Sequence, residues 1–303
     1  MTGARFARLI GALALVASPP LHAEPLALLA PGPTDDARQA VALGPHGEVY
    51  APDGKGAWIR TQRITTVDPL MVAGRAAGEI VAAGDGVVYK LAPNGWSAIR
   101  LHQKDKAVMA RGPRAVAAVK RQLYALHLAA RGEPEKLALA PSPVLAIGAG
   151  KTIVIAMATG LARVDGKRVE PLAGAPKQVV SLVDDRWAIV ATGAFDLRAR
   201  KTIAWPGSTV TAATVGPTGS LVAVGRRAGT LELLTLETSL VREAIEVTPP
   251  ATAVGIVVDR AGRIAIALAD GRILMRDRGS WATTSVVSQL PVPRPGAGPA
   301  RSP

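Results

Sequence analysis

Apolar residues recur at every second position along most of the chain, in short runs broken by Gly, Pro or Asp. The clearest passage runs from Ala251 to Asp277. Val254, Ile256 and Val258 alternate with smaller neighbours, the period of two expected of a strand. Asp259-Arg260-Ala261-Gly262 supplies turn chemistry. Ile264, Ile266 and Leu268 then occupy one face of a second run, with Ala265, Ala267 and Ala269 on the other. Both faces are apolar, which predicts a strand buried between two layers. Asp270-Gly271 is a hairpin signal. The third run puts Ile273 and Met275 on one face, with Arg272 and Arg276 beside Leu274 on the other. These two arginines point outward with no visible partner.

Weaker versions of this passage recur. Pro45-His46-Gly47-Glu48-Val49-Tyr50 followed by Asp53-Gly54 matches Pro217-Thr218-Gly219-Ser220-Leu221-Val222 followed by Ala228-Gly229. Both match Arg260-Ala261-Gly262-Arg263-Ile264-Ala265 followed by Asp270-Gly271. Looser copies lie between them. First strands fall near residues 38, 70, 107, 144, 177, 209 and 252. A fourth, outer strand is expected in most units, at Trp96 to Leu101, Lys136 to Ala140, Arg168 to Leu172, Lys201 to Trp205, Leu240 to Ile245 and Trp281 to Val287. Repeats of this length without helical segments predict an all-β fold, a seven-bladed β-propeller of four-stranded antiparallel blades.

The last two units resemble WD40-type repeats, and the Pro-x-Gly pattern also resembles other bacterial propeller repeats. The resemblance spans roughly residues 37 to 288. The Gly-His and Trp-Asp signatures of that family are missing, and Arg276-Asp277 stands where Trp-Asp is expected. The resemblance implies a binding platform, enzymes being a minority among propellers. Two segments compete to close the ring. Pro25 to Ala30 resembles an outer strand that zips the first and last units together, yet Trp281 to Val287 already reads as the last unit's fourth strand. One of the two is then an extra edge or a loop.

Composition adds an address and a charge. Arg5 and Arg8, the apolar run Leu9 to Val16, Ser18-Pro19-Pro20 and Ala23 read as a signal peptide over 1–23, cleaved before Glu24. The propeller domain then covers 24–290, and the Pro- and Gly-rich 291–303 reads as a disordered tail. The expectation is an exported, periplasmic or extracellular protein. The chain has no Cys among its 303 residues, which excludes disulfides, thiolate metal sites and a Cys nucleophile. The formal charge is +13, and removing Arg5 and Arg8 leaves +11. Such a balance favours anionic partners.

Candidate chemistry is sparse. His46, His102 and His127 stand at no metal-ligand spacing. Asp184-Asp185 fits a turn, and Asp53, Asp85, Asp165 and Asp270 each precede Gly, which a turn explains. No G-x-S-x-G elbow occurs. Gly148-Ala149-Gly150-Lys151-Thr152 lacks the spacing of a phosphate loop and leads into a strand. No cofactor or metal is implied. Basic residues cluster locally at Lys104, Lys106, Arg111, Arg114, Lys120 and Arg121, then at Arg198, Arg200 and Lys201, then at Arg226 and Arg227. In a propeller the loops joining second to third strands share a face with the loops between blades. That face carries Lys55, Lys104, Lys106, Lys120, Arg121, Lys177, Arg226 and Arg227, of which Lys120, Arg121, Arg226 and Arg227 are the candidate binding residues. It also carries Asp53, Asp68, Asp85, Asp105, Glu246 and Asp270, and the opposite face holds Arg198 among other arginines.

Few aromatics are available to stack on bases, and with an exported address this disfavours nucleic acid. The leading expectation is a monomeric, non-catalytic binding or scaffold module for a protein or an anionic cell-envelope polymer. The alternative is a hydrolase or lyase with its site at the mouth of a central channel.

Overall fold

A computed structural model of the chain describes residues 23–30, 36–55, 57–63, 71–74, 80–83, 86–92, 95–101, 103, 105, 107–111, 115–127 and 133–287. The segment read as a signal peptide, up to residue 22, and the tail lie outside the described residues.

The described strands fall into quartets. The first is β1 (Leu28–Ala30), β2 (Val41–Leu43), β3 (Glu48–Pro52) and β4 (Trp58–Arg63). The second is β5 (Met71–Gly74), β6 (Ile80–Ala83), β7 (Val87–Ala92) and β8 (Gly95–Arg100). The third is β9 (Ala107–Arg111), β10 (Ala115–Val119), β11 (Gln122–Leu126) and β12 (Glu135–Leu139). The fourth is β13 (Val144–Ala149), β14 (Ile153–Met157), β15 (Gly160–Asp165) and β16 (Arg168–Pro171). The fifth is β17 (Ser181–Val183), β18 (Trp187–Val190), β19 (Gly193–Asp196) and β20 (Lys201–Ala204). The sixth is β21 (Ser208–Val215), β22 (Leu221–Arg227), β23 (Thr230–Leu236) and β24 (Leu240–Ile245). The last is β25 (Ala253–Val258), β26 (Ile264–Leu268), β27 (Arg272–Asp277) and β28 (Ser280–Val287).

Every quartet pairs antiparallel in chain order, and the first and last merge into one eight-stranded sheet. The first strands of successive quartets lie side by side, with β1 against both β5 and β25. The described residues contain no α-helix, only one short 3-10 turn, Ala37–Gln39.

A core separates each quartet from the next, so second strands contribute both faces to packing. Ile264, Ile266 and Leu268 of β26 pack towards the sixth quartet, while Ala265 and Ala267 pack towards the first. In β10, Val116 and Ala118 face the fourth quartet, while Ala115, Ala117 and Val119 face the second. All five residues of each strand are buried. The doubly apolar pattern thus marks strands held between two neighbours.

Antiparallel order fixes the rims. Turns between first and second strands, and between third and fourth, emerge at one rim; second-to-third turns and the links between quartets emerge at the other. On that other rim Ser142, in the link before the fourth quartet, bonds Thr159 in its second-to-third turn at 3.2 Å.

The structure corrects the first unit. The turns Gly44–Glu48, Gly216–Ser220 and Asp259–Arg263 close with the same two backbone bonds, the first residue's N–H donating to the fifth carbonyl and the fourth residue's N–H to the first carbonyl. Their glycines share a left-handed φ, +83° at Gly47, +81° at Gly219 and +77° at Gly262. The last two turns join first and second strands. The Gly44–Glu48 turn instead joins β2 to β3, a second strand to a third, and lies on the opposite rim. The expected first strand near residue 38 is the 3-10 turn, and the true innermost strand is Leu28–Ala30.

Both segments lie at the seam, Pro25 to Ala30 not as the outer strand expected but leading into the innermost one. Residues 24–27 run across the last quartet, with Leu26 N–H bonding to the Ala269 carbonyl, before β1 enters at the centre. β28 serves as the last quartet's fourth strand and also pairs parallel with β4, setting Val286 opposite Trp58. At the centre β1 sits tight on β25: a Cβ on Gly255 would lie 2.6 Å from Leu29 Cβ and 2.5 Å from its nitrogen. On the shared rim, Asp259 locks the 3-10 turn in place. Its carboxylate accepts from Ala37 N–H at 3.0 Å, Arg263 N–H at 2.9 Å and Arg263 Nε at 2.6 Å, and Arg263 reaches Asp36 at 3.2 Å.

The outward arginines of β27 are also corrected. Arg272 binds Asp270 and the carbonyls of Thr248 and Pro249. Arg276 pairs with Glu243 at 2.9 Å and lies over the Trp281 ring. These partners sit on neighbouring turns and on the adjoining quartet, so the strand's own pattern does not reveal them.

Candidate functional site: a cationic cleft between the fourth and fifth quartets

Gly148 and Gly150 end β13 because the next quartet's first turn docks onto them. A Cβ on Gly148 would overlap the Asp184 carbonyl oxygen, and one on Gly150 would meet the Asp185 carboxylate. The glycines of this run therefore serve close approach between sheets, in keeping with its rejection as a phosphate loop. Asp185 reaches across the junction. One oxygen accepts from Thr152 N–H at 2.9 Å and from the Thr152 hydroxyl at 3.2 Å, while the other meets Arg198 at 3.3 Å.

A second buried carboxylate shapes the turn after β19. Asp196 accepts from the backbone N–H of Arg198 at 2.8 Å and of Ala199 at 3.1 Å, and from Arg186 through Nε and a terminal nitrogen. Arg186 stacks on Trp187 at 4.6 Å and donates to the Gly219 carbonyl of the sixth quartet. The turn carrying Arg198 and Arg200 is therefore fixed from below, with Arg200 itself in a left-handed conformation.

Above this junction lies a cavity of about 360 Å³. Its floor is apolar, formed by Val154, Leu172, Phe195 and Leu197 at the edge of the core between the two quartets. Its rim carries Lys151, Arg163, Arg198 and Arg200, with Asp185 the one carboxylate in the lining. Asp185 is occupied by Thr152 and Arg198. Glu170 stands opposite Arg163 in the β15–β16 register, yet no ion pair joins them. Lys151, Arg163 and Arg200 make no ion pair or side-chain hydrogen bond among the described residues. An oxyanion entering the rim meets guanidinium and ammonium donors free to bind it.

A second cleft follows the seam between the first and last quartets, lined by Arg38, Arg263, Arg276 and Asp277. Here the arginines are engaged, Arg38 by Asp36, Arg263 by Asp259 and Asp36, and Arg276 by Glu243. This seam is a latch. No group of three or more His, Asp or Glu that could hold a metal occurs among the described residues.

The sequence-predicted residues Lys120, Arg121, Arg226 and Arg227 do lie on the second-to-third rim. Lys120 pairs with Asp105 at 2.8 Å, Arg121 Nε bonds the Ala140 carbonyl at 2.8 Å, and Arg226 caps the Gly229 carbonyl at 3.1 Å. The first pair belongs to the third quartet and the second pair to the sixth, with two whole quartets between them, so the four do not meet in one patch. The sequence missed Lys151 and Arg163 and left Arg198 and Arg200 as a local cluster. The signal available was positional: a first-to-second turn in one unit and a third-to-fourth turn in the next share a rim.

Burial alone would raise the carboxyls of Asp185, Asp196 and Asp259. Hydrogen bonds from backbone N–H groups and the adjacent arginines outweigh it and hold all three below the ordinary value of 3.8. Each contribution is present in full above the ordinary value and is lost as pH falls through the lower folded value. Urea midpoints measured from pH 7 down to pH 3 should stay level to about pH 5 and fall steeply below about pH 4. A midpoint that rises on acidification would contradict the assignment.

The fold defined by these quartets is a β-propeller, resembling the WD40 type. Similar solved structures include the WD40 propeller domain of Doa1, at 11% identity and a TM-score of 0.59, covering 86% of this chain and 96% of that one. Streptogramin B lyase matches at 15% identity and a TM-score of 0.63, over 82% of this chain and 92% of its own. PorZ, a bacterial surface component of the type-IX secretion system of Porphyromonas gingivalis, matches at 13% identity and a TM-score of 0.60, over 89% of this chain but 39% of PorZ. At these identities the likeness is one of fold. No protein-family model and no curated protein matches the chain.

Proposed function

We propose that the protein is exported, closes as a seven-bladed ring, and acts as a non-catalytic binding module for an anionic partner, a protein or an envelope polymer. The observation that carries this reading is the cleft between the fourth and fifth quartets, where Lys151, Arg163 and Arg200 stand unpaired over an apolar floor. Ring closure is supported by the position of β1 between β5 and β25. Export is supported by the leader-like character of the N-terminal segment.

The test is retention of envelope extract on the immobilised protein at low and at physiological salt. Double charge reversal of two exposed rim cations, Arg163→Glu with Arg200→Glu, should lower retention by about tenfold, with the larger loss at low salt. The same reversal at Lys120, Arg121, Arg226 and Arg227 should have a smaller effect, because three of those groups are already engaged. Retention that ignores the first pair and follows the second set moves the site to the opposite rim.

A further inference from the structure

The cleft's chemistry specifies more than negative charge. A polyanion attracted by diffuse surface charge needs no cavity, yet this site has depth, and beside the neutralised Asp185 its depth is lined by apolar side chains. Val154 and Phe195 are buried at the floor, with Leu172, Ala175 and Leu197 partly buried around them. The cations are confined to the rim, where Lys151, Arg163 and Arg200 are exposed. The volume of about 360 Å³ lies near the lower end of small-molecule pockets, which run from roughly 300 to 1,000 Å³.

The rim is also rigid where it matters. Asp196 fixes the backbone of the Arg198–Ala199 turn, and Asp185 holds the Arg198 guanidinium and ties it to Thr152. Arg198 thus neutralises the one carboxylate of the lining. The remaining three cations converge on the opening from two different quartets, Lys151 and Arg163 from the fourth and Arg200 from the fifth. An ordered basic rim above an apolar floor selects a ligand with two unlike ends.

On this basis we infer that the cleft binds a small ligand joining an apolar body to an oxyanion, a phosphate ester or a carboxylate. The apolar end seats against Phe195 and Leu172, and the oxyanion is held by Arg163, Arg200 and Lys151. This inference rests on the reading of the cleft as the binding site and adds its ligand class. Such an end group can be free in solution or the terminus of a larger partner.

Calorimetric titration of the purified protein tests it with phenyl phosphate and with benzoate. Inorganic phosphate, acetate and phenol serve as the corresponding half-ligands. At least one aryl anion should bind about tenfold or more tighter than each of its halves, and the stronger of the two identifies the oxyanion. Arg163→Ala and Arg200→Ala, both exposed, should each weaken that binding by about tenfold. Ala175→Phe should remove the preference for the aryl group while leaving any binding of the bare anion unchanged. An Arg163→Ala protein that binds as tightly as the parent, or aryl anions that bind no better than their halves, overturns the inference. If envelope retention still depends on Arg163 and Arg200 while no aryl anion binds, the ligand class is wrong and the functional reading stands. If an aryl anion binds as described but envelope retention is absent, the ligand class stands and the functional reading fails.

Discussion

Asp259→Ala should cost about 3 kcal/mol of folding stability and should do so by loosening the seam between the first and last quartets. The Asp259 side chain is 1% exposed and holds three donors, two on Arg263 and one on Ala37, which is 222 residues away. Removing the carboxylate leaves the Ala37 N–H without its acceptor and the inner part of the Arg263 guanidinium without its closest anion. Loss of one partner of a fully buried pair costs about 3 to 5 kcal/mol. The lower figure is used because Arg263 is 20% exposed and keeps Asp36 at 3.2 Å. Urea denaturation gives the loss directly. Limited proteolysis gives its location, because the variant should be cut first at the Ala37–Gln39 turn, while the parent resists there. Asp36→Ala, which removes a partly exposed carboxylate, should cost about 1 kcal/mol. Equal costs for the two substitutions would show that the seam is not latched through Asp259.

How much of this was legible beforehand follows from the range of each signal. β26 could be read because its burial on both faces is written in five consecutive residues. The turn at Asp259–Arg263 could be read for the same reason, since its two backbone bonds and one left-handed glycine are local. The identical turn at Gly44–Glu48 misled, because a local geometry carries no information about which strands it joins. The strand that settles the matter, Leu28–Ala30, has three residues, too few for a periodicity to stand out, and its partners β25 and β5 are remote in the chain. Arg272 and Arg276 looked unpartnered because the Thr248 carbonyl and Glu243 lie beyond the repeat in which the arginines were read.

The cleft was illegible for a related reason. Its cations belong to two repeats, and each looks ordinary within its own. Lys151 follows a glycine run whose purpose became clear only when Asp184 and Asp185 were seen to dock on it. Arg198 and Arg200 read as no more than a local basic cluster until Asp196 was seen to fix their turn. Formal charge pointed to anionic partners, but only rim geometry separates Lys120, which Asp105 engages, from Arg200, which no neighbour among the described residues engages.

Gly148→Ala is the substitution that ties this packing to binding. The glycine lies in β13 with the Asp184 carbonyl directly over its Cα, so a methyl group cannot enter unless the Asp184–Arg186 turn moves away. That turn is backbone and cannot yield as a flexible side chain would. Overpacking of this kind costs about 1 to 3 kcal/mol, and the upper end applies because the obstructing atom is a main-chain oxygen. The displacement also draws Asp185 away from Thr152 and Arg198, releasing Arg198 and widening the cleft floor. Urea unfolding should therefore report a loss of about 3 kcal/mol, and binding of the aryl anion should weaken under conditions where the variant remains folded. Gly160→Ala is the matched control, a glycine at the opposite rim with open space around it, although its φ of +125° brings a strain of its own. It should lower stability while leaving the affinity of the folded fraction unchanged. Should both substitutions weaken binding equally, the cleft does not depend on how the fifth quartet docks on the fourth. Should Gly148→Ala alone do so, the docking of Asp184 and Asp185 onto the glycine run is what builds the site.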